Sequence, residues 1–73
     1  MSRRLRGIKG AEAVKVFVKA GGIRKKGKGD HINIKMPNGQ IITIPVSKEL
    51  KVGLLKAAIK KSGLTEEEFL ELM

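Results

Sequence analysis

Two segments of the chain carry apolar residues at the three- and four-residue spacing of a helix. The first runs from Gly10 to Ala20 and stops at Gly21-Gly22, and its apolar positions are Ala11, Val14, Phe17 and Val18. The second runs from Val52 to Ser62 and stops at Gly63, and its apolar positions are Leu54, Leu55, Ala58 and Ile59. Both segments are predicted to be helices.

A third, shorter helix is predicted close to the carboxyl end. Thr65 followed by Glu68 is a capping box, in which each side chain satisfies the other residue's backbone N–H. The residues that this helix offers to a core are Phe69, Leu70 and Leu72.

Between the long helices, two segments alternate between apolar and other residues, which is typical of half-buried strands. From Asp30 to Met36, one face carries Ile32, Ile34 and Met36, and the other carries His31, Asn33 and Lys35. From Gln40 to Val46, Ile42, Ile44 and Val46 alternate with Ile41, Thr43 and Pro45. The preceding segment, Gly22 to Gly29, is basic and glycine-rich, so it is either a poorly buried edge strand or a loop.

The loop between the two alternating strands decides their register. A two-residue Asn38-Gly39 turn would pair Ile34 with Thr43 and mix the faces, whereas a three-residue loop starting at Pro37 pairs Ile34 with Ile42. We predict the three-residue loop, with Gly39 left-handed. His31 then lies opposite Pro45, and His31, Asn33 and Lys35 occupy the face away from the aliphatic core.

These elements predict an α+β fold of order α-β-β-β-α with a terminal helical turn. Antiparallel strands covered by helices on one face leave the other face of the three-stranded sheet free. The length of 73 residues suits a single domain spanning 1–73, in which residues 1–9 form a basic extension.

The charge of the chain points to a polyanionic partner. Sixteen Lys and Arg against seven Asp and Glu give a formal net charge of +9. Most cations lie between Arg3 and Lys35, whereas Thr65 to Met73 carries four glutamates and no cation. The alternative is that the lysines only keep a small protein soluble. Because Phe17 and Phe69 are both predicted in the core, recognition is expected to use phosphate, ribose and groove shape rather than base stacking.

Composition also excludes several chemistries. With no cysteine and one histidine, disulfide, thiolate and transition-metal sites are not expected, and no cofactor is predicted. Met1 to Arg6 is basic but no long apolar segment follows, so no membrane contact is expected and the cytoplasm is the predicted location.

His31 is the residue best suited to catalysis. An imidazole beside phosphate-binding cations can move a proton to or from a ribose 2′-hydroxyl or a leaving 5′-oxygen, which is what metal-independent RNA transesterification requires. Asp30 is expected to face away from the ring, because neighbouring strand residues point to opposite faces. The residues predicted to bind RNA are Arg24, Lys26, Lys28, Gly29, Asn33 and Lys35.

Several motifs together resemble the HicA (YcfA-like) toxin family. They are Lys28-Gly29-Asp30-His31, Ile41-Ile42-Thr43-Ile44-Pro45, Lys48-Glu49-Leu50-Lys51-Val52-Gly53-Leu54-Leu55 and Ser62-Gly63-Leu64-Thr65-Glu66-Glu67-Glu68-Phe69. The resemblance implies a double-stranded-RNA-binding-domain-like fold and an mRNA interferase neutralised by an acidic HicB-like antitoxin. It also implies that His31 is the catalytic histidine and Gly29 the family's glycine.

The chain departs from the family pattern at three places. Gly22 stands where members usually have an aromatic residue, Lys26 stands where an arginine is common, and Val46 and Ser47 stand where many have a further histidine. Two other functions remain open from sequence: a non-catalytic double-stranded-RNA-binding module, and a ribosome-associated or structural protein.

Overall fold

The structure is a computed structural model that describes residues 5–73. The elements in chain order are α1 (Gly10–Lys19), β1 (Ile23–Lys26), β2 (His31–Lys35), β3 (Ile41–Pro45), α2 (Val52–Ser62) and α3 (Glu66–Glu71). The strands form one antiparallel sheet in the order β1-β2-β3, and the helices pack against it. This arrangement confirms the predicted α+β fold of the double-stranded-RNA-binding-domain type.

The basic, glycine-rich segment, for which the sequence allowed either an edge strand or a loop, contains the edge strand β1. All four of its side chains are exposed, because only one of its sides pairs with another strand and its sequence is basic. Short, charged edge strands resist pairing with a further strand. The sheet therefore ends on a cationic border.

The β2–β3 hairpin has the predicted register. Ile34 lies opposite Ile42, Ile32 opposite Ile44, and His31 opposite Pro45. Gly39 has φ +89°, and its N–H donates to the Met36 carbonyl at 2.9 Å. The left-handed glycine thus closes a three-residue loop and keeps the isoleucines on one face.

Asn38 links this hairpin loop to the second helix by a contact that no sequence pattern predicted. Its Nδ2 donates to the Lys61 carbonyl at 3.0 Å, while its Oδ1 accepts from the Gln40 N–H at 3.0 Å. The first of these bonds uses a carbonyl at the end of α2, where helical partners run out. The loop and the helix end therefore stabilise each other.

The core lies between the sheet and the helices. Its largest fully buried side chains are Phe17, Phe69, Ile34, Ile44, Leu55 and Ile59. The two phenylalanine rings meet with centroids 5.3 Å apart in a tilted arrangement. This contact docks α3, whose predicted capping box is present: Thr65 Oγ1 accepts from the Glu68 N–H at 3.0 Å, and Glu68 Oε1 accepts from the Thr65 N–H at 2.8 Å.

The prediction of which residues of the first helix are buried was partly wrong. Ala11 and Val18 are exposed, whereas Ala13 and Val16 are buried beside Val14 and Phe17. The side of α1 that packs against the sheet is therefore turned toward Ala13 and Val16, which join the same core cluster as Val14 and Phe17. On α2, Leu54 is likewise exposed although its neighbour Leu55 is fully buried.

The amino-terminal segment packs on the core rather than only extending from it. Leu5 and Ile8 are both 4% exposed, and the Leu50 N–H donates to the Ile8 carbonyl at 2.8 Å. Arg3 and Arg4, two of the cations of the predicted basic extension, lie outside the described residues. No helix within residues 5–73 has the length and apolar character needed to cross a membrane.

Candidate nucleic-acid interface

A tight turn carries His31 to the start of β2. The His31 N–H donates to the Lys28 carbonyl at 2.9 Å, and the Gly27 N–H donates to the His31 carbonyl at 3.2 Å. Gly29, between them, has φ +55°, a conformation that most side chains disfavour. The turn therefore fixes the backbone of His31 while its side chain stays exposed.

Gly27 is a second glycine on which this geometry depends. A Cβ at this position would lie 2.6 Å from the His31 carbonyl oxygen and 3.1 Å from its carbonyl carbon. At Gly29, by contrast, a Cβ would meet no atom of residues 5–73 within 4 Å. Gly27 is thus required by close packing and Gly29 by its backbone angle, a distinction that the spacing of the two glycines alone does not reveal.

Asp30 fastens the turn to the end of β3. Its carboxylate oxygens accept from the Ser47 N–H at 3.2 and 3.3 Å, and its carbonyl accepts from the Val46 N–H at 3.0 Å. The carboxylate is therefore engaged with backbone, in agreement with the expectation that it does not orient the imidazole.

The strand register assigns the side chains of the sheet to two faces, because residues directly opposite each other share a face. His31, Asn33 and Lys35 lie on the face away from the helices, as predicted. We call this the open face; its members are Ile23 and Lys25 of β1, His31, Asn33 and Lys35 of β2, and Ile41, Thr43 and Pro45 of β3.

A cross-strand hydrogen bond orders the middle of the open face. Thr43 Oγ1 donates to Asn33 Oδ1 at 2.7 Å. Since this bond occupies the amide oxygen, the amide N–H groups of Asn33 remain to donate to a ligand. On its other side, Asn33 lies opposite Lys25.

The register separates the candidate RNA-binding cations. Arg24 lies opposite Ile34 and Lys26 opposite Ile32, so both belong to the helix side of the sheet. Arg24 borders a depression on α1 together with Val14 and Val18. Lys25, which sequence reasoning did not select, shares the open face with His31. Sequence alone could not assign Arg24, Lys25 and Lys26 to a face, because their segment was compatible with either a strand or a loop.

The cations around His31 are free to attract an anion. Across residues 5–73, the single contact within 4.0 Å between a cation and a carboxylate joins Lys56 to Glu66, on α2 and α3. Lys25, Lys28 and Lys35 are all exposed and have no such carboxylate contact. Their positive potential is therefore uncompensated on the open face and on the turn that precedes His31.

A groove opens beside His31 between the end of β3 and the start of α2. It has a volume of about 360 Å³ and runs from His31 and Pro45 to Leu54, with Lys48 and Lys51 on its border. Volumes of this order are found in small-molecule sites. The exposed imidazole is thus next to a concave, partly apolar surface.

The fold and the site together define a class: small basic domains of the double-stranded-RNA-binding-domain type that carry one exposed histidine on an open sheet face. A family model described as "HicA toxin of bacterial toxin-antitoxin" matches residues 10–64, well over half of the chain. The chain belongs to the HicA toxin family, and its place is on the toxin side of a toxin–antitoxin pair. A comparison with curated proteins finds no match.

The structure shows that position 22 suits glycine. A Cβ there would lie 2.5 Å from Ile34 Cγ2 and 2.8 Å from the Phe17 carbonyl oxygen. The backbone at Gly22 therefore lies too close to α1 and β2 for a side chain to fit without a shift of its neighbours.

Proposed function

We propose that this toxin is a metal-independent endoribonuclease that cleaves mRNA by transesterification, with His31 as its general acid or base. The observation that supports the proposal most is the position of His31, exposed on the open face that also carries Lys25 and Lys35 and directly after the turn that carries Lys28. Cleavage of a phosphodiester without a metal needs a proton carrier and fixed positive charge. The imidazole is the proton carrier, and the lysines supply the charge.

The reaction uses a nucleophile that RNA itself supplies. The ribose 2′-oxygen forms a bond to the adjacent phosphorus, and the bond from phosphorus to the 5′-oxygen breaks. The 2′-hydroxyl loses one proton and the leaving 5′-oxygen gains one, which gives a 2′,3′-cyclic phosphate and a 5′-hydroxyl. Since His31 is the single histidine of the chain, it carries one of these two transfers and water carries the other.

The neighbouring residues bind the phosphate that reacts. Lys28 neutralises the charge that develops on the phosphorane, while Lys35, four residues further along β2, binds a neighbouring phosphate. Asn33 donates from its amide to a phosphate or ribose oxygen. Gly29 allows the turn that brings Lys28 close to His31. Arg24 and Lys26, across the sheet edge, contribute longer-range attraction to the RNA backbone.

The partner proposed for the toxin is an acidic HicB-like antitoxin that covers the open face. Ile23 and Ile41 are 62% and 51% exposed, and both lie beside Lys35 in one row across the sheet. Two apolar side chains around a cation suit an acidic protein surface with its own apolar residues. An antitoxin bound there also blocks access to His31.

The test is to incubate the protein with RNA in the presence of a chelator and to analyse the ends of the products. We expect 2′,3′-cyclic phosphate and 5′-hydroxyl ends, and a loss of cleavage of about 10²-fold or more in His31→Gln, the range typical of general acid–base catalysis. Lys60→Gln is the control, since Lys60 is exposed on α2 and lines none of the surfaces near His31.

Equal cleavage by the His31→Gln variant and the control would rule out catalysis by His31. Salt-dependent binding of double-stranded RNA with no cleavage would favour the non-catalytic binding module instead.

A further inference from the structure

We infer that the groove between the end of β3 and the start of α2, hereafter the β3–α2 groove, binds the nucleotide next to the scissile phosphate. The inference rests on the proposed function, because His31 fixes where the reacting phosphate lies. A nucleotide attached to that phosphate needs an adjacent surface, and the β3–α2 groove has His31 as one of its walls.

The chemistry of the groove suits a nucleotide. Leu54 and Pro45 provide apolar surface for the flat face of a base, which every base has regardless of sequence. Lys48 and Lys51 lie on the border, where they can neutralise a phosphate. Within residues 5–73, neither lysine has a carboxylate within 4.0 Å, although Glu49 and Asp30 line the same groove. The carboxylate of Asp30 accepts from the Ser47 N–H.

Binding of a base in the β3–α2 groove explains why Leu54 is exposed. It is 43% exposed in the first turn of α2, whereas Leu55, its neighbour in sequence, is fully buried in the core. The Leu54 side chain therefore contributes little to the stability of the fold. A second depression, of about 300 Å³, also reaches Leu54 and continues along α2 to Ala57 and Lys61.

The two depressions share Leu54, so together their linings reach from His31 to Lys61 and include both apolar residues and lysines. Surfaces that follow a single strand of nucleic acid combine a cationic groove with side chains that cover the bases, and here aliphatic residues stand where aromatic ones are usual. The carboxylate of Glu49 is available to accept from an exocyclic amino group, which adenine, guanine and cytosine have and uracil lacks.

Leu54→Ala tests the groove in the intact protein, with Val52→Ala as the matched control. Both residues are exposed apolar positions of α2, and Val52 does not line the groove. For a short RNA substrate, Leu54→Ala is expected to raise KM about fivefold and to leave kcat within about twofold, because the contact lies away from the reacting atoms. Val52→Ala is expected to change neither value.

A second measurement does not depend on cleavage. A short 2′-fluoro RNA, which has no 2′-hydroxyl to react, is given one 4-thiouracil base and cross-linked by light to the wild-type protein. We expect cross-links at Pro45, Leu54 or their immediate neighbours. Cross-links at those residues without any cleavage of ordinary RNA would support the groove as an RNA site while contradicting the proposed catalysis.

Two results would overturn the inference. In the first, the protein cleaves RNA, the cross-links form only on the open face, and Leu54→Ala and Val52→Ala have equal KM values. The other is a Leu54→Ala variant that binds its antitoxin more weakly but keeps its KM for RNA, which would make the groove a protein interface.

Discussion

The two faces of the sheet differ completely in what surrounds them, although their residues alternate along the same strands. On the helix side, Ile34 and Ile44 are fully buried and Ile42 is nearly so. On the open face, His31, Lys35 and Ile41 are exposed, and Asn33 is half-buried with a hydrogen bond to Thr43. A step of one residue along β2 therefore leads from the core to the proposed site.

This difference shows how a small domain can keep stability and recognition apart. Substitutions on the open face remove little buried apolar surface, so they should alter binding without unfolding the protein. The same alternation makes the register decisive, because a slip of one residue would bury Lys35 and expose Ile34. The three-residue loop at Pro37 to Gly39 prevents that slip.

The largest effect expected is on the core side of this comparison. Ile44→Ala should lower the free energy of unfolding by about 2–5 kcal/mol, because it leaves a cavity under the helices. Ile41→Ala, three residues earlier on the open face, should change it by less than about 0.5 kcal/mol. Urea unfolding followed by circular dichroism measures both values.

Similar losses in the two isoleucine variants would mean that the open face is covered in the free protein. In that case the separation of core and recognition surface would be incorrect.

A smaller effect is expected in the turn that joins the two faces. Gly27→Ala should lower the free energy of unfolding by about 1–3 kcal/mol and also slow RNA cleavage, because its Cβ would push against the His31 carbonyl. Gly29→Ala should cost about 1–2 kcal/mol for its positive φ but keep His31 in place. Cleavage rates measured well below the unfolding midpoint separate the two variants.

If Gly29→Ala reduced cleavage more than Gly27→Ala at equal folded fraction, the close contact at Gly27 would not be what positions His31.

Sequence alone predicted the parts of the fold that follow from local periodicity. The bounds of the second helix, the hairpin register and the capping box at Thr65 all depend on residues within one element or one loop, and all were confirmed. The expectation that His31 and Asn33 share the free face depended on the same alternation.

What the sequence could not predict depends on contacts between distant segments. The rotation of α1 that exposes Val18 follows from packing against the sheet and α3, and the link from Asn38 to Lys61 joins residues 23 positions apart. The placement of Lys25 on the open face required the pairing of β1 with β2. The groove at Leu54 likewise forms only when α2 lies beside β3.

Two double variants with the same loss of charge test the role of the open face most directly. Lys25→Gln with Lys35→Gln removes two cations from the open face, and Arg24→Gln with Lys26→Gln removes two from the helix side. The measurement is kcat/KM for RNA cleavage at one salt concentration. We expect roughly a tenfold loss in the first variant, as for two exposed ionic contacts, and less than about a twofold loss in the second. Equal losses in both would contradict the assignment, because net charge rather than the open face would then govern the reaction.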